Sequence, residues 1–248
     1  KKPRNIPGKR LKPASGLAWA SSFPTVCSGL ATKTMKPARI NGLYAITPDT
    51  DNSQRLISIV DTALDGGIDI LQYRNKSTDK TLRLQQAREL LRRCRAYSVP
   101  LIINDDVELA IQIGADGVHL GASDGNLPEA REKLGPSMLI GATCYNQLEL
   151  ARQAIANGAD YVAFGSMFSS ATKPAAVKAP LNLLSDAKTA LACPVVAIGG
   201  IRLDNIAQIA SAGADAAAII SELFDADDIA EQAIRLRQAF FLAKQNGR

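Results

Sequence analysis

The sequence predicts a (β/α)8 barrel, and three observations predict it. From Asn41 onward, short apolar or β-branched runs alternate with longer stretches of helical period, the pattern of a parallel α/β fold. The chain has 248 residues, close to the length of one such barrel. Run after run also ends in a polar cluster, as expected where the C-terminal rim of a barrel carries the chemistry. Those clusters are Gln72-Tyr73-Arg74-Asn75-Lys76, Asn104-Asp105-Asp106, Asp124, Thr143, Ser169-Ser170-Ala171-Thr172-Lys173, Gly199-Gly200 and Ser221.

The strand candidates in order are Leu43–Thr47, Ile68–Arg74, Leu101–Asn104, Gly117–Leu120, Leu139–Thr143, Tyr161–Gly165, Val195–Ile198 and Ala216–Ser221. Amphipathic helices lie between them, for example Thr81–Tyr97 and Gln147–Asn157. A short repeat supports the count: Gly114-Ala115-Asp116, Gly158-Ala159-Asp160 and Gly213-Ala214-Asp215 each close a helix and precede a strand, and Gly66-Gly67-Ile68-Asp69 is a looser copy. Glycine there supplies a left-handed helix end, a feature of the stable face rather than of chemistry. An open doubly wound sheet would place a glycine-rich phosphate turn after its first strand, where this chain has Thr47-Pro48-Asp49. The barrel is preferred, as one domain over residues 40–248.

Residues 1–39 are expected to form a basic, disordered tail. Residues 1–48 hold nine Lys/Arg and no acid, so the net charge of +5 becomes −4 without them (20 basic against 24 acidic residues). The high pI belongs to the tail and gives no reason to expect nucleic-acid binding. Three readings of the tail compete. A signal peptide is disfavoured because Ser21, Ser22 and Pro24 interrupt the apolar stretch; an organellar transit peptide fits the missing acids; a start at Met35 is favoured. Cys27, Cys94, Cys144 and Cys193 are far apart and read as reduced thiols, not a zinc site. No stretch is apolar enough for a membrane span. A cytoplasmic enzyme is expected, with organellar targeting and assembly into a homo-oligomer left open.

In the second strand, period two places Gln72 and Arg74 on one face with Lys76 just beyond, a polar set hard to bury unless it meets a ligand. Asp105 and Asp124 follow adjacent strands, and two carboxylates beside Arg and Lys suit Mg2+ completed by phosphate oxygens. The competing reading is that Asp106, Asp105 or Asp124 caps a helix or turn. His119, the only histidine, lies inside a strand and reads as packed and hydrogen-bonded, so no Ser-His or Cys-His nucleophile pair is available. The hydroxyl-rich loop ending in Lys173, the Gly199-Gly200 turn and Ser221 occupy the usual phosphate region of this fold. The residues alone indicate a Mg2+-dependent enzyme joining or cleaving small phosphorylated molecules.

Taken in order, the segments Gly42-Leu43-Tyr44-Ala45-Ile46-Thr47, Gln72 to Lys76, Ile103-Asn104-Asp105-Asp106, Gly117-Val118-His119-Leu120-Gly121, Gly158-Ala159-Asp160-Tyr161-Val162, Thr172-Lys173, Ile198-Gly199-Gly200-Ile201 and Ser221 resemble thiamine-phosphate synthase. The resemblance covers essentially all of residues 41–240. It implies a transferase that condenses hydroxymethylpyrimidine diphosphate with hydroxyethylthiazole phosphate. It implies that Gln72, Arg74, Lys76, Asn104, Thr143 and Lys173 bind the pyrimidine diphosphate, with Arg74, Lys76 and Lys173 assisting departure of diphosphate. It further implies Mg2+ on Asp105 and Asp124, and the thiazole phosphate against Ser170, Ala171, Thr172, Gly200, Ile220 and Ser221. The chain departs from the family pattern at Ala122, where Gln is common, and at Thr143, Ser166 and Ser169-Ser170. Only Ala122 removes a diphosphate contact. A thiazole tautomerase, whose branch relies on His after strand five where this chain has Cys144-Tyr145, is one alternative. A barrel that binds thiamine precursors without turnover is the other.

Overall fold

The computed structural model describes residues 40–121, 126–169 and 177–246. The tail expected at 1–39 therefore lies outside the described residues. Eight parallel strands close in sequence order, β1 pairing with β2 and round to β8, which pairs back to β1. The strands are β1 (Gly42–Ile46), β2 (Ile70–Tyr73), β3 (Leu101–Asn104), β4 (Gly117–Leu120), β5 (Leu139–Tyr145), β6 (Tyr161–Phe164), β7 (Val195–Ile198) and β8 (Ala216–Ile219). The helices are α1 (Ser53–Asp65), α2 (Lys80–Tyr97), α3 (Val107–Ile113), α4 (Leu127–Leu134), α5 (Leu148–Ala156), α6 (Asn182–Ala190), α7 (Ile206–Ser211), α8 (Ser221–Phe224) and α9 (Ile229–Asn246). None of the described helices is long and apolar enough to cross a membrane.

The expected strands are present, with two informative shifts at their ends. β5 runs two residues further than expected, through a register irregularity between Thr143 and Tyr145. β8 stops at Ile219, so Ser221 opens the short α8 instead of ending a strand.

Alternation along each strand sorts side chains into two layers. Leu43, Ala45, Leu71, Tyr73, Ile103 and Val118 belong to the large cluster shared with the helices. Tyr44, Ile46, Ile70, Ile102, Leu139, Tyr161, Ala163, Val196, Ala216 and Ala218 form the separate core inside the barrel. Helix starts follow local chemistry: Asp79 accepts from the N–H groups of Thr81 (2.8 Å) and Leu82 (3.0 Å), and Asn52 from Arg55 (2.9 Å).

At the N-terminal end of the barrel the repeated aspartates each perform one task. Asp69, Asp116, Asp160 and Asp215 stand before β2, β4, β6 and β8. Their carboxylates accept the backbone N–H of Leu43 (2.9 Å), Leu101 (2.9 Å), Ile140 (2.7 Å) and Val195 (2.8 Å) on the preceding odd-numbered strand. Each aspartate also donates its own N–H to the carbonyl of that same residue, at 2.9, 3.0, 2.7 and 2.7 Å. The repeat seen in the sequence is thus a set of four two-way clamps.

Candidate active site

Thr47, fully buried at the end of β1, fixes the exit of β2. Its hydroxyl donates to the Arg74 carbonyl (3.0 Å) and accepts from the Arg74 N–H (2.9 Å). Arg74 is thereby aimed at the barrel mouth, where its guanidinium pairs with Asp49. Asp49 also accepts the Lys76 N–H at 2.9 Å. The Thr47-Pro48-Asp49 turn, which carries no phosphate motif, thus organises the basic cluster after β2.

A cavity of about 380 Å3 opens at the C-terminal end of the barrel. Gln72, Arg74, Asn104 and Thr143 line one part of it, and Gly199, Gly200, Ile220 and Ser221 another. Sequence reasoning had singled out all eight. It had not anticipated Tyr44, Tyr145, Arg202 and Glu222 as lining residues, nor His119, whereas Ser166 and Ser169 belong to the hydroxyl-rich loop it had named. The inward parity of Tyr44 with Gln72, visible in the strand alternation, is the signal that would have found the tyrosine. Arg202 is engaged by Asp204 at 2.8 Å.

Glycine makes the second part of the wall thin. Gly199 (φ 100°) and Gly200 (φ 63°) adopt left-handed backbone, and a Cβ on Gly200 would stand 2.3 Å from the Ser169 carbonyl oxygen. Glycine at these two positions therefore lets the turn after β7 pack directly against Ser166, Phe168 and Ser169.

Asn104 and Asp105 are coupled at the end of β3. The Asn104 amide donates to the Asp105 carboxylate at 2.5 Å, and Asp105 itself adopts φ 63°. Asp is among the few non-glycine residues that adopt that region readily, and Ser98 at the end of α2 does so as a helix cap. Asp106 does what the competing reading foresaw: it caps α3 by accepting the Leu109 N–H (2.8 Å), and it pairs with Arg83. Lys76 and Asp105 are exposed at the rim and are not among the residues lining the cavity. Asp124, Ser170, Ala171, Thr172 and Lys173 lie outside the described residues.

The floor of the cavity is polar. His119 is buried, with Nδ1 3.1 Å from the Tyr161 hydroxyl and Nε2 3.0 Å from the Thr143 hydroxyl, the packed role its place in the strand suggested. Tyr161 meets Tyr44 at 2.9 Å, and Tyr44 accepts from Gln72 at 2.8 Å. Burial pushes the hydroxyls of Tyr44 and Tyr161 well above the ordinary tyrosine range, so both stay protonated. A larger cavity of about 880 Å3 lies at the opposite end, lined by Asp160, Lys188, Asp215 and Lys244. Asp215 pairs there with Lys188 (2.8 Å) and Lys244 (3.4 Å), so these charges serve the clamps.

The family profile of thiamine monophosphate synthase matches residues 43–223, from β1 into α8 and thus across all eight strands. The chain belongs to the thiamine monophosphate synthase family. It is 55% identical to the thiamine-phosphate synthase of Chromobacterium violaceum over 197 residues, 79% of this chain and 95% of that one. It is 54% identical to the thiamine-phosphate synthase of Methylobacillus flagellatus over 201 residues, 81% and 96% of the two chains. Among solved structures, the thiamine phosphate pyrophosphorylase from Pyrococcus furiosus superimposes with a TM-score of 0.73 at 32% identity, covering 82% of this chain and 96% of that one. Membership in the thiamine monophosphate synthase family makes this barrel a transferase, and its cavity opens at the C-terminal rim.

Proposed function

We propose that the enzyme joins hydroxymethylpyrimidine diphosphate to hydroxyethylthiazole phosphate, giving thiamine phosphate and diphosphate. The observation that carries this reading is the meeting of Gln72, Arg74, Asn104 and Thr143 with Gly200, Ile220 and Ser221 around one cavity, in a chain of this family. The first group offers amide, guanidinium and hydroxyl contacts for the pyrimidine and its diphosphate. The second offers bare backbone and a hydroxyl for the thiazole phosphate, joined in this reading by Ser170, Ala171 and Thr172.

Among the described residues no cluster of three or more carboxylate, thiol or imidazole groups surrounds Asp105, so the Mg2+ reading rests on the chemistry of this one described carboxylate. It is a hard oxygen donor, exposed at the rim and tethered to the cavity-lining Asn104. Asp105 and Asp124 would hold the ion, and when bound it would neutralise charge on the departing diphosphate. The chain's own groups supply the rest. Asp49 orients the Arg74 guanidinium, whose remaining N–H donors are available to phosphate oxygens. In this reading Lys76 and Lys173 would add positive charge for the departing diphosphate. The bond between the pyrimidine methylene carbon and the diphosphate oxygen breaks with its pair on oxygen. The resulting cation is captured by the thiazole nitrogen lone pair. No protein nucleophile is needed, and the electrostatics of the rim supply the rate.

The experiment is release of thiamine phosphate and diphosphate from the two purified precursors, with and without Mg2+, by the natural chain and by Asp105→Asn. Metal-dependent formation of both products, lost in Asp105→Asn with the fold intact, is the expected result. Saturable binding of the thiazole phosphate without turnover would overturn the reading.

A further inference from the structure

The interior polar residues form one continuous hydrogen-bonded chain, Gln72–Tyr44–Tyr161–His119–Thr143, whose two ends line the cavity. We propose that this chain sets the hydrogen-bond polarity of the site, with Tyr44, Tyr161 and His119 acting as positioning residues. The direction follows from donor inventory. Gln72 Nε2 can only donate, and it donates to the Tyr44 hydroxyl at 2.8 Å. Tyr44 then spends its single proton on Tyr161, 2.9 Å away, and Tyr161 spends its own on His119 Nδ1, 3.1 Å away. His119 is left with its proton on Nε2, which donates to Thr143 Oγ at 3.0 Å. The Thr143 hydroxyl proton is thereby released toward the cavity, and the Gln72 carbonyl oxygen is left as an acceptor at the other end.

Burial keeps both tyrosines protonated, so the chain transmits orientation and no charge. Its geometry is enforced by packing. Gly141 on β5 faces the Tyr161–His119 contact, and a Cβ there would stand 2.1 Å from Tyr161 Cζ and 2.4 Å from His119 Nδ1. The hydrophobic side chains packed with the two tyrosines are Ile, Val, Leu and Ala, which need no partners, so five connected polar side chains are a costly arrangement for mere filling. One acceptor end and one donor end match a heteroaromatic ring that carries both an amino group and an acceptor nitrogen. That choice of ligand, an aminopyrimidine, rests on the function proposed above.

His119 is the only histidine in the chain, so 15N-histidine labelling gives one imidazole whose tautomer can be read directly by NMR. The expected spectrum has the proton on Nε2 and a bare Nδ1. Gln72→Glu replaces the donor with an acceptor, reverses every bond and moves the proton to Nδ1. In a Tyr161→Phe background the same change leaves the imidazole as it was. A proton on Nδ1 in the natural chain, or a tautomer indifferent to Gln72→Glu, overturns the proposal. In the kinetic arm, Tyr161→Phe lowers kcat/KM for the pyrimidine diphosphate by about tenfold, the cost of one misdirected hydrogen bond, and leaves the thiazole phosphate KM within about twofold. Equal loss toward both substrates, following only a drop in melting temperature, overturns the positioning role. The tautomer is read without turnover, so an inactive natural chain would sink the proposed function and leave this polarity standing.

Discussion

Adding one methyl group at Gly141 should unseat the floor of the site. Gly141 does not have a positive φ, so alanine meets no backbone penalty there and the whole effect is steric. The new Cβ would fall 2.1 Å from Tyr161 Cζ, 2.4 Å from its hydroxyl oxygen and 2.4 Å from His119 Nδ1. Tyr161 is fully buried, on a strand, and cannot step aside without moving its neighbours. Overpacking of this kind costs about 1–3 kcal/mol. Displacing the tyrosine also breaks its bonds to Tyr44 and His119, about 1 kcal/mol each. The sum is about 3–5 kcal/mol. Urea unfolding followed by far-UV circular dichroism measures it: with an m-value of about 2 kcal/mol/M the midpoint of Gly141→Ala falls by about 1.5–2.5 M. A midpoint within about 0.3 M of the natural chain, at equal slope, would refute the claim that the interior chain is packed against this glycine. Gly135→Ala is the contrast, since nothing lies within 4 Å of its added Cβ and only the backbone strain of φ 68°, ψ −175° is incurred, about 1–3 kcal/mol.

Asp116→Ala removes the acceptor of the Leu101 N–H without touching the cavity, and should lower stability by about 2 kcal/mol while kcat stays unchanged; thermal or urea unfolding beside a steady-state assay checks both. Alkali should destabilise the barrel in a defined window. Burial pushes the Cys94 and Cys144 thiols and the Tyr73 hydroxyl up to about 12, and raises Tyr44 and Tyr161 further. The folded state therefore holds protons that the unfolded chain releases near pH 8.5 for Cys and 10 for Tyr, so stability is unchanged below about pH 8 and declines from there toward pH 12. Tyrosinate absorbance from Tyr44, Tyr73 and Tyr161 should appear only together with unfolding in a spectroscopic pH titration.

The strand order and the ends of most elements were readable because each barrel strand is a short apolar run bounded by polar residues. The same feature hid the interior. A strand buried on both faces is apolar on both, so Leu43 toward the helices and Tyr44 toward the axis look alike in a linear reading. Gln72 and Arg74 stood out because they are polar at the inward parity. Tyr44 and Tyr161 did not, because an aromatic residue in a strand passes for core. The glycine within β5 carried a usable signal, since glycine inside a strand often marks a close approach, here by Tyr161. Tyr145 was placed beyond the end of its strand because the register irregularity after Thr143 is a property of pairing with β6 and not of local sequence. Asp106 was legible as a helix cap, whereas the left-handed backbone of Asp105 was not, aspartate being compatible with many turns.

A closed barrel has no edge, but this one has seams. The aspartate clamps bind β1 to β2, β3 to β4, β5 to β6 and β7 to β8, dividing the wall into four two-strand staves. Between staves no aspartate clamp is repeated among the described residues, and the entry contacts include backbone bonds such as Leu71 N–H to the Pro100 carbonyl (3.1 Å) and Val162 N–H to the Pro194 carbonyl (3.2 Å). The interior chain runs the other way: it leaves the first stave at Tyr44, enters the third at Tyr161, passes to the second at His119 and returns to the third at Thr143. Three staves that the lower rim keeps separate are therefore hooped together at the floor of the cavity. Any change that retunes recognition through those five side chains also slackens the hoop, so selectivity and cohesion in this barrel have to evolve together.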